Sequence, residues 1–445
     1  MFVVMGFLQD PLRKMYPGQP SLMVTMCAVV FVGVVLGLIY RRTRFNIRQI
    51  PGWRRGLSFS IYVLMAYITV QVLVSFIKYN SVVLAGLGVV SYVMPIFALM
   101  TGYFYVKQGG PKAIDQIALV YCILTLIFAS GIYMEYAGVS SGTLGEVGVG
   151  ITIYGQGTVL ESHSGLFRAS EIAAWHIVAA SSLFIMLAVR SKKNWIRVLY
   201  VAAILFLLAA GILTGRRKLF VSIFIFISCY WMLTIYFKES VLRLALLILF
   251  LSGSGTLIFN QVGVFSEDSR GEYNLYVERA SGVIYDITGR AQAFGYGAVV
   301  SAIKKYGLWG NGAGTASQGA QYSGGGVRGS FEVEGGFGRV VFEIGAVGLL
   351  LVFWVGVAFI LYVWRLLKYL SVLRDNFITI TYAMIALLIA NLAHFLVASQ
   401  AFSDPFILIL LGFFVGVVAG SPLLALNSNV ATRPIIQSSK PYPVN

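Results

Sequence analysis

Charged residues are scarce in this chain of 445 residues. Only 11% of the residues are charged and 58% are hydrophobic, which gives a mean hydropathy of +0.83. A soluble core does not need so many apolar runs of about twenty residues, the length that crosses a bilayer. The scarcity of charge excludes an ordinary soluble protein and predicts an all-α polytopic membrane protein.

Residues that form disulfides or bind metals are also few. The three cysteines (Cys27, Cys122 and Cys229) lie in predicted spans and are expected to be small apolar core residues. The three histidines have no metal-ligand spacing, and no Asp-x-Asp or His-Glu-x-x-His motif is present. No serine or cysteine nucleophile motif appears either. We therefore predict no metal and no other cofactor.

Several other signals are missing. The short apolar start ends in QDPLRKMYPGQP, so no cleavable signal peptide is predicted. The net charge of +16 has no basic and aromatic surface module beside it, and we predict no nucleic-acid partner. The cations are expected in loops that face anionic membrane lipids.

Hydropathy predicts about eleven spans, within a range of ten to twelve. The predicted spans are residues 22–39, 58–77, 82–105, 116–134, 170–189, 196–214, 219–237, 241–259, 338–363, 377–400 and 406–424. The loop 41–55 carries six arginines and is placed in the cytoplasm. Alternation then gives the cytoplasmic side 19 Lys/Arg and 3 Asp/Glu, and the outer side 14 of each kind. Residues 1–16 either stay outside or dip into the membrane.

The predicted organisation is a single membrane domain, residues 1–445. Two long segments face outward, residues 136–169 and a large polar loop, 260–337, inserted between spans. The tail, 427–445, is rich in Pro, Ser and Asn and is predicted to be a disordered cytoplasmic segment. Because the polar residues gather in the large loop, we expect the protein to work there.

Three consecutive cations, Arg216, Arg217 and Lys218, separate two apolar helices on the predicted outer side. Cations there oppose the usual bias, and ionisable groups kept at membrane depth usually serve a site. The alternative is that all three extend to the interface as ordinary snorkelling side chains.

Arg290 opens a predicted amphipathic helix on the same side. The planar guanidinium fork suits phosphate oxygens, so two arginines near the lipid boundary fit a diphosphate at the end of a lipid. The alternative is a salt bridge to Asp286 or Glu278.

Carboxylates precede and enter the ninth span. Glu334 is a candidate general base if it is partly desolvated. Its alternatives are a favourable place at a helix N-terminus and pairing with Arg339. Glu343, one helical turn past Arg339, is expected to form an ion pair within the helix. The run GLWGNGAG (307–314) lacks the ending of a phosphate loop and predicts a tight turn.

Taken in order, these segments resemble the O-antigen ligase and polysaccharide polymerase superfamily of bacterial inner membranes. The segments are TGRRKLF, then TGR before an amphipathic helix, then a polar run into FEIGAVGLLLV. The first two motifs of the family place their arginines at Arg217 and Arg290, with Phe294 where the family has Trp. The third, with G-x-x-G laid on Gly345–Gly348, places Glu334 where ligases have their catalytic His. The segment GLFRASEIAAW also resembles the family, with Arg168 and Glu171 in it.

The resemblance implies a metal-independent glycosyltransferase of the class C type. The glutamate fits the polymerase branch, whose members join polyprenyl-diphosphate-linked repeats on the periplasmic face. Such a glycan would be both donor and acceptor, and a chain-length regulator is a candidate partner beside the membrane lipids. The predicted catalytic residues are Glu334, Arg217 and Arg290. The predicted substrate-binding residues are Arg216, Arg168, Arg279 and Tyr296.

Two other functions stay open. An O-antigen ligase would transfer glycan to a lipid A core, although the ligase His is missing. A transporter of lipid-linked sugar or polysaccharide would do no chemistry, and it would place polar residues along a central path, often between two related halves.

Overall fold

The computed structural model describes residues 1–16, 20–41, 45–145, 152–155, 158–236, 275–276, 289, 291–317, 320, 335–370 and 377–430. These ranges are mainly helical. In chain order the helices are α1 (Phe2–Met15), α2 (Pro20–Tyr40), α3 (Arg55–Tyr79), α4 (Val82–Tyr92), α5 (Met94–Tyr136), α6 (Ser170–Arg190), α7 (Asn194–Leu213), α8 (Lys218–Tyr236), α9 (Ala298–Tyr306), α10 (Gly336–Leu370), α11 (Ile378–Val397) and α12 (Pro405–Val430). Two short 3-10 helices (Ile47–Gln49 and Ala401–Ser403) and a π-helical segment (Ala291–Gly297) complete them.

Eight helical stretches in the described ranges are long and apolar enough to cross a membrane. They are α3, α4 together with α5, α6, α7, α8, α10, α11 and α12, and α2 adds a shorter apolar stretch, Met26–Tyr40. The stretch Val82–Tyr136 covers two of the predicted spans. The prediction of a polytopic, largely helical membrane protein is confirmed. The predicted span 241–259 lies outside the described residues.

A small β-hairpin was not predicted. Strands β1 (Thr152–Gly155) and β2 (Thr158–Glu161) pair antiparallel, with Thr152 opposite Glu161, inside the first long polar segment. At the other end of the chain, α12 continues to Val430, so the first residues of the predicted tail are helical. Residues 431–445 lie outside the described ranges.

Helix α1 lies inside the bundle. Its fourteen residues extend roughly 21 Å, less than the bilayer core of about 30 Å. Phe7 is buried, and its ring centroid lies 5.0 Å from that of Phe128 and 5.0 Å from that of His176. Residues of α1 therefore pack against α5 and α6.

Close backbone approach joins α5 to α12. A methyl group at Gly102 would overlap the carbonyl of Phe413, and one at Gly416 would overlap the carbonyl of Leu99. Small residues at such contacts are how membrane helices approach each other, since lipid leaves no hydrophobic driving force between them.

Two ends of the bundle can be distinguished. The loop end carries Tyr136, Ser170 and Lys218, and the arginine end carries Arg55 and Arg190. Arg190 pairs with Asp115 at 2.9 Å at the arginine end, and Lys14 donates to the Gly165 carbonyl at 2.6 Å at the loop end. These contacts agree with the predicted alternation of the spans.

Candidate functional site

The turn between α7 and α8 presents the three consecutive cations. Thr214 closes α7, because its hydroxyl donates to the Gly211 carbonyl at 2.7 Å and accepts from the Arg216 amide at 3.3 Å. Gly215 has φ +64°, a left-handed conformation that glycine adopts at no steric cost. Thr214 and Gly215 thus end α7, and the three cations follow at the turn into α8.

A buried carboxylate neutralises part of this turn. Glu171, in the first turn of α6, is 4% exposed. Its oxygens lie 3.3 Å from Lys218 Nζ and 3.4 Å from Arg216 Nη1. Arg216 also donates through Nε to the Ser170 hydroxyl at 2.9 Å. Two of the three cations are therefore held by α6.

His394 joins the same carboxylate from α11. Its Nε2 lies 3.6 Å from Glu171 Oε1, and its Nδ1 lies 3.1 Å from the Ser222 hydroxyl on α8. The sequence did not identify His394 as a site residue. Its partners are 172 and more residues away along the chain, so no local pattern could have found it.

Arg217 differs from its two neighbours. It is half-buried, and its guanidinium forms no hydrogen bond or ion pair with the part of the chain that the structure describes. Among the described residues, three cations and one carboxylate give the turn a formal surplus of two positive charges, with His394 left out of the count. This surplus lies next to apolar spans, where a fixed cation favours an anionic ligand.

Arg168 is enclosed, and its guanidinium is only 4% exposed. Its Nη2 lies 2.6 Å from Asp404 Oδ2. Asp404 also caps α12 by accepting from the Phe406 amide at 2.7 Å. In this conformation Arg168 ties α12 to the start of α6 and offers a substrate no exposed guanidinium.

Asp10 of α1 lies beside the same ion pair. Burial raises the pKa of the Asp10 carboxyl to about 6, and the charge of Asp404 acts in the same direction. The positive charges of Arg168 and, to a smaller extent, Lys14 lower this pKa and oppose the shift without cancelling it. One buried arginine is therefore shared by two acidic side chains.

A second buried cluster occupies the start of α10. Arg339 Nη2 lies 3.7 Å from Glu343 Oε1, which confirms the predicted ion pair within the helix. The same carboxylate accepts from the Tyr92 hydroxyl at 2.5 Å and from the Ala316 amide at 2.8 Å. Arg339 in turn donates to the Ser403 hydroxyl at 2.5 Å. Glu343 is thus fully engaged in holding α4 and α10 together.

The glycine-rich run 307–314 forms the predicted tight turn. Helix α10 breaks at Gly345, φ +73°, and leaves carbonyls without helical partners. The Asn311 amide donates to Phe342 O at 2.9 Å and the Gly312 amide donates to Glu343 O at 2.8 Å. A phosphate loop needs free amides, and these are used by the broken helix.

The remaining predicted site residues have different outcomes. Tyr296 is 76% exposed and makes no hydrogen bond within the described ranges. Glu334, Arg290 and Arg279 lie outside the described residues. Glu334 stands two positions before the first residue of α10, and Arg290 directly precedes the π-helical segment. Their predicted roles stay predictions.

The described ranges contain no group of three or more His, Cys, Asp or Glu side chains that could hold a metal ion. The three cysteines are free thiols, two of them buried and Cys229 half-buried.

Comparison with known proteins adds no relative. The chain matches no protein-family model and no curated protein. The resemblance to the ligase and polymerase superfamily therefore rests on the motifs and their order along the chain.

Proposed function

We propose that the protein is a polymerase that joins polyprenyl-diphosphate-linked oligosaccharide repeats into a surface polysaccharide. In this proposal it is a class C-type glycosyltransferase of the bacterial inner membrane, and the loop end faces the periplasm. The charge count of the loops, with the arginine-rich loop 41–55 inside, supports this orientation. A glycosyl donor on the outer side must be lipid-linked, since nucleotide sugars are made in the cytoplasm.

The observation that carries the proposal is that the guanidinium of Arg217 has no hydrogen-bond or ion-pair partner among the described residues. A lipid diphosphate brings at least two negative charges to the membrane surface, and the described residues at the turn Arg216–Lys218 carry a surplus of two positive charges. Glu171 occupies the flanking cations and leaves Arg217 for the ligand. A guanidinium can bind two phosphate oxygens through two parallel hydrogen bonds, a planar geometry that a lysine ammonium lacks.

In the proposed reaction, Glu334 takes the proton of an acceptor hydroxyl as its oxygen bonds to the donor's anomeric carbon. The bond between that carbon and the diphosphate oxygen breaks, and the lipid diphosphate leaves with the electron pair. Direct attack inverts the anomeric carbon. Arg217 and Arg290 offset the charge that grows on the leaving group, an electrostatic effect exerted mainly in the transition state. No step requires a metal.

The test is reconstitution in vesicles with a lipid-linked repeat, with polymer length measured on gels. We expect Arg217→Gln to lower the initial rate by about 100-fold, as loss of one charge-stabilising group commonly does. Arg197→Gln is the matched control, because Arg197 is an exposed arginine at the opposite end. Full elongation by Arg217→Gln would reject the proposed leaving-group site.

A second variant tests the base. Glu334→Gln should bind the donor but fail to elongate, because the amide cannot accept the proton. Normal elongation would remove Glu334 from the mechanism. Attachment of preformed glycan to a lipid A core would instead identify a ligase. Movement of the repeat across the vesicle membrane without bond formation would identify a transporter.

A further inference from the structure

Part of the large polar loop carries exposed apolar side chains. Leu308 and Trp309 follow α9 after Gly307 and are 58% and 65% exposed. The opposite face of α9 is packed, because Ala302 is buried against Val340 and Ile344 of α10. Leu308 and Trp309, which we call the Leu-Trp edge, contribute little to that core.

The backbone of the edge is held rigidly from two sides. The Trp309 carbonyl accepts from the Gln71 side-chain amide of α3 at 3.0 Å. The Leu308 carbonyl accepts from the Val347 amide of α10 at 3.3 Å, and a Cβ at Gly310 would overlap Gly345. These contacts fix the backbone that carries the two exposed apolar side chains. Large apolar side chains exposed on a fixed backbone point to a contact outside the chain.

The position of the edge along the bundle identifies what covers it. Gln71 lies between Val70 and Leu73, which are both exposed apolar residues of a membrane span. Ile77, 77% exposed, lies six residues, or about 9 Å, nearer the loop end. The lipid-facing surface of α3 therefore extends beyond the level of Trp309. On α10, the exposed Leu350 continues the same apolar surface on the other side.

The charges beside the edge fit a membrane surface. Lys304 and Lys305 are exposed on α9, one turn before Leu308. Lysines next to exposed tryptophan and leucine are typical of a segment in the interface, where the cations meet anionic headgroups and the apolar side chains enter the acyl region.

From these observations we infer that the Leu-Trp edge and Lys304–Lys305 bind phospholipid directly. The segment from α9 to Gly312 is then an interfacial element of the membrane. This inference does not depend on the proposed polymerase activity. It concerns where the loop lies, and it places a rigid part of the loop at the depth from which a lipid-linked ligand would approach.

Spin labelling of the full-length protein tests the inference. Leu308→Cys and Trp309→Cys are each made in a Cys229→Ala background, where Cys27 and Cys122 are fully buried and stay unlabelled. Collision with oxygen, which concentrates in lipid, is compared with collision with a water-soluble nickel chelate. The vesicles contain phosphatidylethanolamine and phosphatidylglycerol. Ser141→Cys is the control for an exposed polar loop, and Val357→Cys is the control for a lipid-facing span.

We expect labels at both edge positions to resemble the label at Val357, with oxygen favoured over the nickel chelate. Labels that resemble Ser141 would overturn the inference, because the edge would then face water. Low accessibility to both reagents would also overturn it, because protein would then cover the edge.

A fluorescence measurement also tests whether Trp309 contacts lipid, and it needs no cysteine variants. The emission of Trp309 is the difference between wild type and Trp309→Phe, and lipids brominated near the headgroup quench only nearby indoles. The inference predicts quenching of this difference by at least half, and no quenching would contradict it. Lys304→Gln with Lys305→Gln should reduce the quenching in vesicles that contain phosphatidylglycerol and leave it unchanged in neutral vesicles.

Discussion

The loop end and the arginine end of the bundle differ in how far their charged side chains are buried. At the loop end, Arg168, Glu171, Asp404, Arg339 and Glu343 are all buried, with exposures of 6% or less. At the arginine end the described lysines and arginines are exposed, apart from the half-buried Arg190. The first end buries these five charged side chains, and the second leaves its cations in contact with water or headgroups.

The proposed function gives a reason for this difference in burial. Exposed cations at a membrane surface cost little and orient the protein. Buried ion pairs rarely add stability over apolar residues, so their accumulation at one end needs another reason. The proposed function supplies one, because the guanidinium of Arg217, which has no partner in the described ranges, would bind an anion among fixed carboxylates and cations. The two ends should therefore respond differently to loss of one charge.

The largest effect on stability is expected for Arg168→Met. The change leaves Asp404 and Asp10 buried without their shared cation, which typically costs about 3–5 kcal/mol of unfolding free energy. The measurement is an SDS unfolding titration in mixed micelles, with Arg190→Met as the counterpart at the arginine end. Equal losses for the two variants would remove the distinction between the ends.

A smaller and pH-dependent effect is expected for Asp10→Asn. The pKa of Asp10 is raised in the folded protein from 3.8 to about 6, so ionisation of Asp10 destabilises the fold as the pH rises through this range. The asparagine variant should therefore gain stability over wild type between pH 4 and pH 7, by at most about 3 kcal/mol, and show a constant difference above pH 7. If the stability difference between Asp10→Asn and wild type does not change with pH, burial does not raise the pKa of Asp10 in the folded protein.

Removing one hydroxyl at the loop end should cost less. Tyr92→Phe deletes the 2.5 Å hydrogen bond to the Glu343 carboxylate, and bonds to charged groups contribute about 1.5–3 kcal/mol. Tyr105→Phe is the matched change at the arginine end, where the hydroxyl donates to the neutral Ala113 carbonyl at 3.1 Å, and about 1 kcal/mol is expected. The comparison fails if Tyr105→Phe is the more damaging of the two.

Local patterns predicted a large part of this structure. Runs of apolar residues located the spans, because a helix in lipid must satisfy its own backbone and needs a set length. The spacing of four between Arg339 and Glu343 predicted their ion pair, because such residues share one face of a helix. The glycines of 307–314 predicted a turn, because glycine tolerates positive φ.

Contacts between distant helices could not be predicted in the same way. Glu171 meets Lys218 across 47 residues, and Ser222 meets His394 across 172. Only the packing of α6, α8 and α11 brings these groups together, and hydropathy carries no information about which helices are neighbours. The burial of Arg168 was missed for the same reason, since its partner Asp404 begins a helix more than two hundred residues away.

The smallest effect on stability is expected at the arginine end, for Arg190→Met. Its pair with Asp115 is closely matched in geometry, with Nε and Nη2 each 2.9 Å from a carboxylate oxygen. The side chains are 14% and 31% exposed, however, so water and salt screen the attraction, and a loss of about 1 kcal/mol or less is expected. Raising the salt concentration should shrink this loss further while leaving the loss for Arg168→Met nearly unchanged. A salt-independent loss at Arg190 would mean that the arginine end also buries its charge, and the contrast between the two ends would then need another cause.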